Sequence, residues 1–431
     1  MKKVNVLIYP AGSENALEIY YSLKYNRYFN VFGATRVSNH AEYIYPKEKL
    51  YFGSLHIADE TIFDELNRVI KQFGIDFIVP THDTIAAFLM QHQDKIQAQT
   101  LCSPYETTRI AENKKLMYEA LSGCAFNPQI YKDMNAVTRY PVFLKPSIGT
   151  GSKGTYLAKS KSELEDILAQ KPNLLLCEYL PGQEYTIDCF TNKKGELLFI
   201  GPRKRERITN GIAHHSERVE ESSEFEMIAC ELNKRFAFRG AWFFQVKEDE
   251  TGQLKFMEFA VRQAGTMAFY RQLGVNFAAL SLFDAMGHDV RVLFNDYKIS
   301  LDRCLAASYR LYYQYETLYV DFDGALIIED KVNTTLLKLI YQGFNTKKKI
   351  ILFTKNDCDV NELLDRYRIS RALFDKIVSV EPGRTKTDSI EKLGSVFIGS
   401  SFTEREIIRE KCNIPVFDVD AIGCLINSAD I

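Results

Sequence analysis

The sequence predicts a multidomain chain that mixes α/β and α+β architecture, and three observations carry that expectation. Strand-like and helix-like runs alternate through the opening segment, short strands and glycine turns take over near Asn113, and a fresh alternation begins at Leu318. At about 150 residues per domain, 431 residues provide for about three units.

In the opening segment Val4 to Tyr9 reads as a strand, Ala16 to Tyr25 as a helix, Asn30 to Ala34 as a strand and Ile62 to Phe73 as a helix. Phe77 to Val79 is a further strand that ends in Pro80-Thr81-His82-Asp83. A parallel sheet with crossover helices follows, and such sheets bind ligands at their strand ends. The turn Pro10-Ala11-Gly12-Ser13 lacks the GxGxxG spacing, so it reads as a tight turn rather than a dinucleotide site. In the middle section Ser162 to Leu168 reads as a helix with Ser162 and Glu165 as its capping box. An irregular tyrosine-rich stretch from Tyr309 to Tyr315 separates the middle from the rear.

Composition sets the class. Apolar residues make up 46% and charged residues 26%, with a net charge of −2, which leaves no electrostatic footprint for nucleic acid or anionic lipid. The basic runs Arg203 to Arg207, broken by Glu206, and Lys347 to Lys349 read as solvated. Nine scattered cysteines without CxxC spacing point to reduced thiols rather than a disulfide framework. The start of the chain lacks an export signal, and no apolar run approaches the roughly 18–20 residues of a membrane helix. A cytoplasmic protein with no nucleic-acid and no membrane partner is expected.

The strongest constellation runs from Val142 to Gly154. An apolar strand delivers Lys145-Pro146 to the loop Ser147-Ile148-Gly149-Thr150-Gly151-Ser152-Lys153-Gly154. Glycines let backbone N–H groups approach phosphate oxygens, and a lysine at the strand end offsets their charge. Further pieces follow in order: Asn113-Lys114 opening a helix, the run Glu178-Tyr179-Leu180-Pro181-Gly182-Gln183-Glu184, then Gln245, then Glu258-Phe259-Ala260-Val261-Arg262.

Over residues 1–295 this order and spacing resemble the ATP-grasp superfamily, in particular its carbamoyl-phosphate-synthase-like carboxylate ligases. The resemblance implies a Rossmann-like pre-grasp domain over 1–110 and an ATP-grasp domain over 111–295. It implies that Lys114 and Lys145, with Ser147, Gly149, Gly151, Ser152 and Gly154, face the phosphates of ATP. Glu178, Tyr179 and Leu180 would contact the adenine and Glu184 the ribose. Gln245 and Glu258 are the candidate magnesium ligands, since Mg²⁺ takes hard oxygen donors that bridge to phosphates. Arg262 would steady the transferred phosphoryl group. The implied reaction is attack of a carboxylate on ATP, giving an acyl phosphate and ADP, then displacement of phosphate by an amine. Arg205 and His214, with Arg203 and His215 beside them, are candidate contacts for these small-molecule substrates. The family writes its last strand Glu-x-Asn-x-Arg, and Ala260 stands where the asparagine belongs, so a second metal would have to rely on Glu258, water and ATP.

Beyond a linker over 296–317, Leu318-Tyr319-Val320-Asp321-Phe322-Asp323-Gly324-Ala325 is an apolar strand with two carboxylates at its end. From there to Cys424 the chain resembles the haloacid dehalogenase superfamily, which implies a Rossmannoid domain over 318–431. Asp321 takes the place of the nucleophile and Asp323 that of the acid–base. Thr354, ending the strand Ile350 to Thr354, and Lys386, before an expected helix Ser389 to Leu393, match the next two motifs. The last motif departs: after Val396-Phe397-Ile398 the family's acid pair is replaced by Gly399-Ser400-Ser401, with Glu404 the nearest acid. A degenerate phosphatase-like domain, a working phosphatase, and a catalytically inert ATP sensor all stay open, as do the identities of acid and amine and the oligomeric state, homo-oligomer included.

Overall fold

The computed structural model describes residues 3–149, 151–209, 211–220, 223–309, 311–355, 360–381 and 384–427. The chain divides into two compact units, residues 1–41 with 48–305 and residues 42–47 with 306–431. Among the described residues no helix is long and apolar enough to cross a membrane.

The first unit opens on a five-stranded parallel sheet in the order Leu50–Phe52, Phe29–Thr35, Val4–Tyr9, Phe77–Pro80, Gln99–Thr100. Its central strand is buried from Val6 to Tyr9, as a strand covered on both faces must be. The first helix spans Glu14–Leu23, two residues earlier than its expected start, because Ser13 caps it by accepting the N–H of Ala16. The expected helix Ile62–Phe73 is present with those bounds and stops at Gly74, whose φ of 59° is left-handed.

A four-stranded sheet follows, ordered Ile130–Tyr131, Leu174–Glu178, Val142–Pro146, Tyr156–Ala158. It packs Tyr131, Val142, Leu144, Ala158 and Leu176 on Leu164 of the helix Lys161–Gln170. The cap of this helix is Ser160, not Ser162. Its hydroxyl accepts the Glu163 N–H, and the Glu163 carboxylate accepts the Lys159 N–H at 2.7 Å. Two Ser-x-x-Glu pairs overlap here, and the earlier one caps the helix, which begins two residues sooner than the later pair would place it.

The largest sheet is antiparallel and six-stranded: Leu254–Ala260, Gly240–Glu248, Glu184–Thr191, Leu197–Thr209, Ile212–Arg218, Ser300–Asp302. The last strand lies in the stretch read as a linker; Ser300 to Asp302 pair with Glu217 to His215. Alternation splits the sheet's faces. Tyr185, Ile187, Trp242, Phe244, Val246 and Phe256 join one core with Phe225, Ile228 and Leu232 of the helix Ser223–Arg235. The opposite face carries a register row of polar residues, in which Glu258 pairs with Gln245, Gln245 with Thr186, and Thr186 with Arg203.

The expectation that the Arg203 to Arg207 run is solvated is overturned. Arg203 is 1% and Arg205 6% exposed, while Lys204 and Arg207 point outward. Strand alternation sorts the run, turning its odd members inward up to Arg205 before the pairing shifts ahead of Arg207. Burial of Arg203 is tolerated because Asp188, itself 0% exposed, accepts from its Nε at 2.8 Å and its Nη2 at 3.1 Å.

The second unit is a five-stranded parallel sheet ordered Lys376–Ser379, Lys349–Thr354, Thr317–Asp321, Ser395–Ile398, Val416–Phe417. The expected helix Ser389 to Leu393 is absent; a short 3₁₀ turn spans Lys386–Ser389 instead. Ile390 is buried in a core cluster while Leu393 is 92% exposed, so one of the segment's two apolar residues has no core to pack on and a helix there would gain little.

Removing one partner of the Asp188–Arg203 pair strands a buried charge. Asp188→Ala is expected to cost about 3–5 kcal/mol in denaturant unfolding, and Asp188→Leu combined with Arg203→Met to recover most of it.

A cationic cleft as the candidate active site

Between the large sheet's polar face, the glycine loop and the strand ends of the parallel sheet, the first unit holds a cleft of about 470 Å³. A smaller adjoining pocket of about 120 Å³ shares Lys114, Gly149, Gly151, Arg205, Gln245 and Glu258 with it.

Lys114 opens the helix Lys114–Ala120, whose cap Asn113 accepts the N–H groups of Lys115 and Leu116. Its Nζ donates to the Gly149 carbonyl at 2.8 Å and pairs with Glu258 Oε2 at 2.9 Å. Lys145 is 9% exposed on the strand Val142–Pro146, and its Nζ donates to the Tyr118 hydroxyl, which in turn donates to the Met257 carbonyl at 2.7 Å. Burial holds the Tyr118 phenol far above its ordinary value, so it stays protonated beside the ammonium. Burial alone would raise the Glu258 carboxyl; Lys114, with Lys145 and Arg205 behind it, outweighs that and holds it below its ordinary 4.5.

Besides Gly154 at φ 73°, the glycine loop turns through the consecutive left-handed residues Gly151 at φ 65° and Ser152 at 56°. A hairpin tip meets it there. A Cβ at Gly211, itself at φ 74°, would lie 2.9 Å from the Gly151 carbonyl carbon and the Ser152 hydroxyl. Arg205 ties this tip down by donating from Nη2 to the Gly211 carbonyl at 2.7 Å. Its Nε lies 3.0 Å from Glu184 Oε1, an ion-pair contact without an aligned hydrogen bond.

Arg262 reaches out of the large sheet to Asp83, at the start of the helix Asp83–Gln91. Its Nε and Nη2 donate to one oxygen, Asp83 Oδ2, at 3.1 and 2.9 Å. Among the described residues Asp83 Oδ1 and Arg203 Nη1, buried on the cleft wall, also lack a hydrogen-bond partner.

The structure thus gathers Lys114, Gly149, Gly151, Arg205, Gln245, Glu258 and Arg262 around one cleft, with Lys145, Ser152 and Glu184 in the adjoining pocket. Thr150 lies outside the described residues. Ser147 and Gly154 shape the loop without lining either cavity; the Ser147 carbonyl accepts the Lys114 N–H at 2.8 Å. Glu178, Tyr179 and Leu180 line neither cavity, and the Glu178 carboxylate accepts the Gln129 N–H at 2.8 Å. His214 also stands apart: its neighbours Ile212 and Ala213 line the cleft, and it does not. Sequence reasoning missed Asp83, Tyr118, Thr186 and Arg303 as members. Thr186 alone left a signal, lying two residues beyond Glu184 on the same strand face.

In the second unit Asp321 is 4% exposed at its strand end and Asp323 is exposed just beyond. Lys386 donates to Asp321 Oδ1 and, at 2.7 Å, to Glu404 Oε2; Glu404 also pairs with Lys355. Ser400 lies against this turn, since a Cβ at Gly324 would meet its hydroxyl. No group of three or more histidine, cysteine or acidic residues suited to a metal occurs among the described residues.

Residues 170–300 match the family model described as ATP-grasp in the biosynthetic pathway with Ter operon. The D-alanine–D-alanine ligase of Fusobacterium nucleatum is 28% identical over 76 residues, which span 18% of this chain and only 26% of that ligase. The MgADP- and bicarbonate-bound biotin carboxylase domain of Hydrogenobacter thermophilus 2-oxoglutarate carboxylase superposes with a TM-score of 0.56 at 17% identity, covering 68% of this chain and 72% of that one. The ADP complex of N5-carboxyaminoimidazole synthetase from Staphylococcus aureus gives 0.55 at 15% identity, covering 68% and 80%.

Acidification tests the charge balance at Glu258. Its folded value is depressed, so its contribution is complete above the unfolded value and lost as pH falls through the folded one. The stability gap between the wild type and Glu258→Gln is expected to shrink steadily in chemical denaturation below pH 4.5. The matched segment and the shared fold together make residues 170–300 similar to ATP-grasp proteins.

Proposed function

We propose that the chain is an ATP-dependent ligase that joins a carboxylate to an amine through an acyl phosphate. The observation that carries this reading is the convergence of Lys114, Lys145, the glycine loop, Gln245, Glu258 and Arg262 on one cleft and the pocket adjoining it. The named relatives add support: one is a D-alanine–D-alanine ligase and two solved neighbours hold ADP. In this reading residues 1–110 are a Rossmann-like pre-grasp domain, 111–295 the ATP-grasp domain and 318–431 a degenerate haloacid-dehalogenase-like domain.

ATP is a substrate here. Phe143, Ile208 and Met257 offer its base an apolar slot and Glu184 an acceptor for the ribose, in the pocket where Lys145 resides. Gln245 and Glu258, paired across two strands, give magnesium two hard oxygen donors, and the ion would neutralise phosphate charge when bound. Ala260, paired with Phe243 further along the strand, offers none. The acid's carboxylate docks on Arg203, whose free Nη1 faces no other acceptor, and on Arg205. An oxygen of that carboxylate attacks the terminal phosphorus as the bond to ADP breaks. The amine then attacks the acyl carbon and phosphate departs. Arg262, held in place by Asp83, balances charge on the migrating phosphoryl group.

One observation favours a second reading, a nucleotide sensor without turnover: Ala260 removes a metal ligand from the cleft. For the rear unit, Lys386, Lys355 and Glu404 close a charge network on Asp321, and Ser400 is a weak replacement for a metal-binding acid.

With pooled acids and amines, ADP release should require both, and fall about 100-fold or more in Glu258→Ala and Arg262→Ala. Asp321→Asn should leave phosphate release unchanged. ATP binding without turnover that Ala260→Asn awakens would replace the ligase by the sensor, and loss of all phosphate release in Asp321→Asn would make the rear unit the enzyme.

A further inference from the structure

Arg262 lines a second cavity as well, of about 250 Å³. Val79, Met90, Leu101, Ala241 and Ala278 make its walls apolar, and it opens past Gln99 and Arg239. Two polar groups of its lining, one inside and one at the mouth, are unpaired or loosely paired among the described residues. Thr100, 5% exposed, has a buried hydroxyl without a partner. Arg239, with a side chain 39% exposed, has one loose contact, Nε to Asp284 Oδ2 at 3.5 Å. Asp284, which also lines the cavity, accepts the Lys193 N–H on Oδ1 at 2.9 Å and faces Arg239 only through Oδ2 at Nε, so the two terminal nitrogens of the guanidinium retain donors for an incoming anion.

A cavity with apolar walls, one buried hydroxyl and a cation at its mouth matches one class of ligand. We propose that it binds a small carboxylate with a branched or aromatic apolar body, carboxylate on Arg239, body among Val79, Leu101 and Ala278, and that this ligand regulates nucleotide binding in the cleft. The link is short. Val261 and Gln263 line the cavity and Arg262 between them lines both spaces, while the Cys102 thiol donates to the Val261 carbonyl at 3.3 Å. Across the cleft Arg262 holds Asp83 by a single carboxylate oxygen, leaving the other free for a second arrangement. A ligand that packs on this segment favours one arrangement over the other, and that difference is what couples two sites.

Calorimetric titration of the full chain with phenylacetate, 4-methylpentanoate and neutral phenylacetamide tests the proposal without requiring turnover, so it stands or falls apart from the ligase reading. At least one acid should bind saturably. Its affinity should fall about tenfold or more in Arg239→Gln and with the amide, as loss of a charge-assisted bond requires. Ala278→Leu, whose added methyl groups enter the cavity, should abolish binding without lowering the melting temperature; Ala241→Val serves if that variant does not fold. The acid should change ADP affinity, ADP should change the acid's by the same factor, and Arg262→Ala should retain acid binding and lose the coupling. Absence of saturable binding by both acids, indifference to the cavity-filling variant, one-for-one competition with ADP, or an unchanged ADP affinity would overturn it.

Discussion

Everything at the cleft depends on the register of the six-stranded antiparallel sheet. Side chains alternate across a strand, so a slip of one residue would exchange the two faces. On this register Trp242, Phe244 and Val246 sink into the core while Phe243 and Gln245 face the cleft. The same pairing sets Glu258, Gln245, Thr186 and Arg203 side by side across four strands. Apolar burial on one face therefore fixes the polar row on the other.

Charges in the row are compensated to different degrees, and the differences are informative. Asp188 satisfies two nitrogens of Arg203 and leaves the third, Nη1, donating to nothing. Lys145 is held by a phenol rather than a carboxylate, which keeps its full charge available. Lys114 and Glu258 pair at the cleft floor, and that pairing lowers the carboxyl. A buried polar atom without a partner is costly unless a ligand or water completes it. Under the proposed reading the acid completes Arg203, and nucleotide phosphates draw Lys114 away from Glu258. In the rear unit the charges are closed on themselves: Asp321, Lys386, Glu404 and Lys355 form one chain of ion pairs.

Much of this was legible in the sequence because it is local. A lysine ending an apolar strand before a glycine loop declares itself within a dozen residues, and the parallel sheets announce themselves by alternation. What stayed hidden was set by pairing over distance. Asp83 and Arg262 are 179 positions apart, and neither residue type advertises the other. The Arg203 to Arg207 run looked solvated because composition ignores the strand's period of two, which buries Arg203 and Arg205 behind Asp188 and Glu184. His214 sits where the register shifts, between the pairs Arg207–His215 and Ile208–Ala213, a break that no sequence period announces. Ser300–Asp302 was unreadable as a strand because three residues carry no periodicity, and only the waiting edge of Ile212–Arg218 makes them one. After Lys386 only Ile390 of the pair Ile390 and Leu393 finds a core, and the turn there is pinned instead by the lysine's bonds to Asp321 and Glu404.

The most direct measurement of the central claim is the affinity for MgADP of the wild type, Lys145→Met and Asp321→Asn, with melting temperatures confirming that all three are folded. Saturable binding by the wild type, weakened about tenfold or more in Lys145→Met and unchanged in Asp321→Asn, is the result expected if the cleft is the nucleotide site. Equal affinity in the wild type and Lys145→Met, or no binding by the wild type, would contradict it.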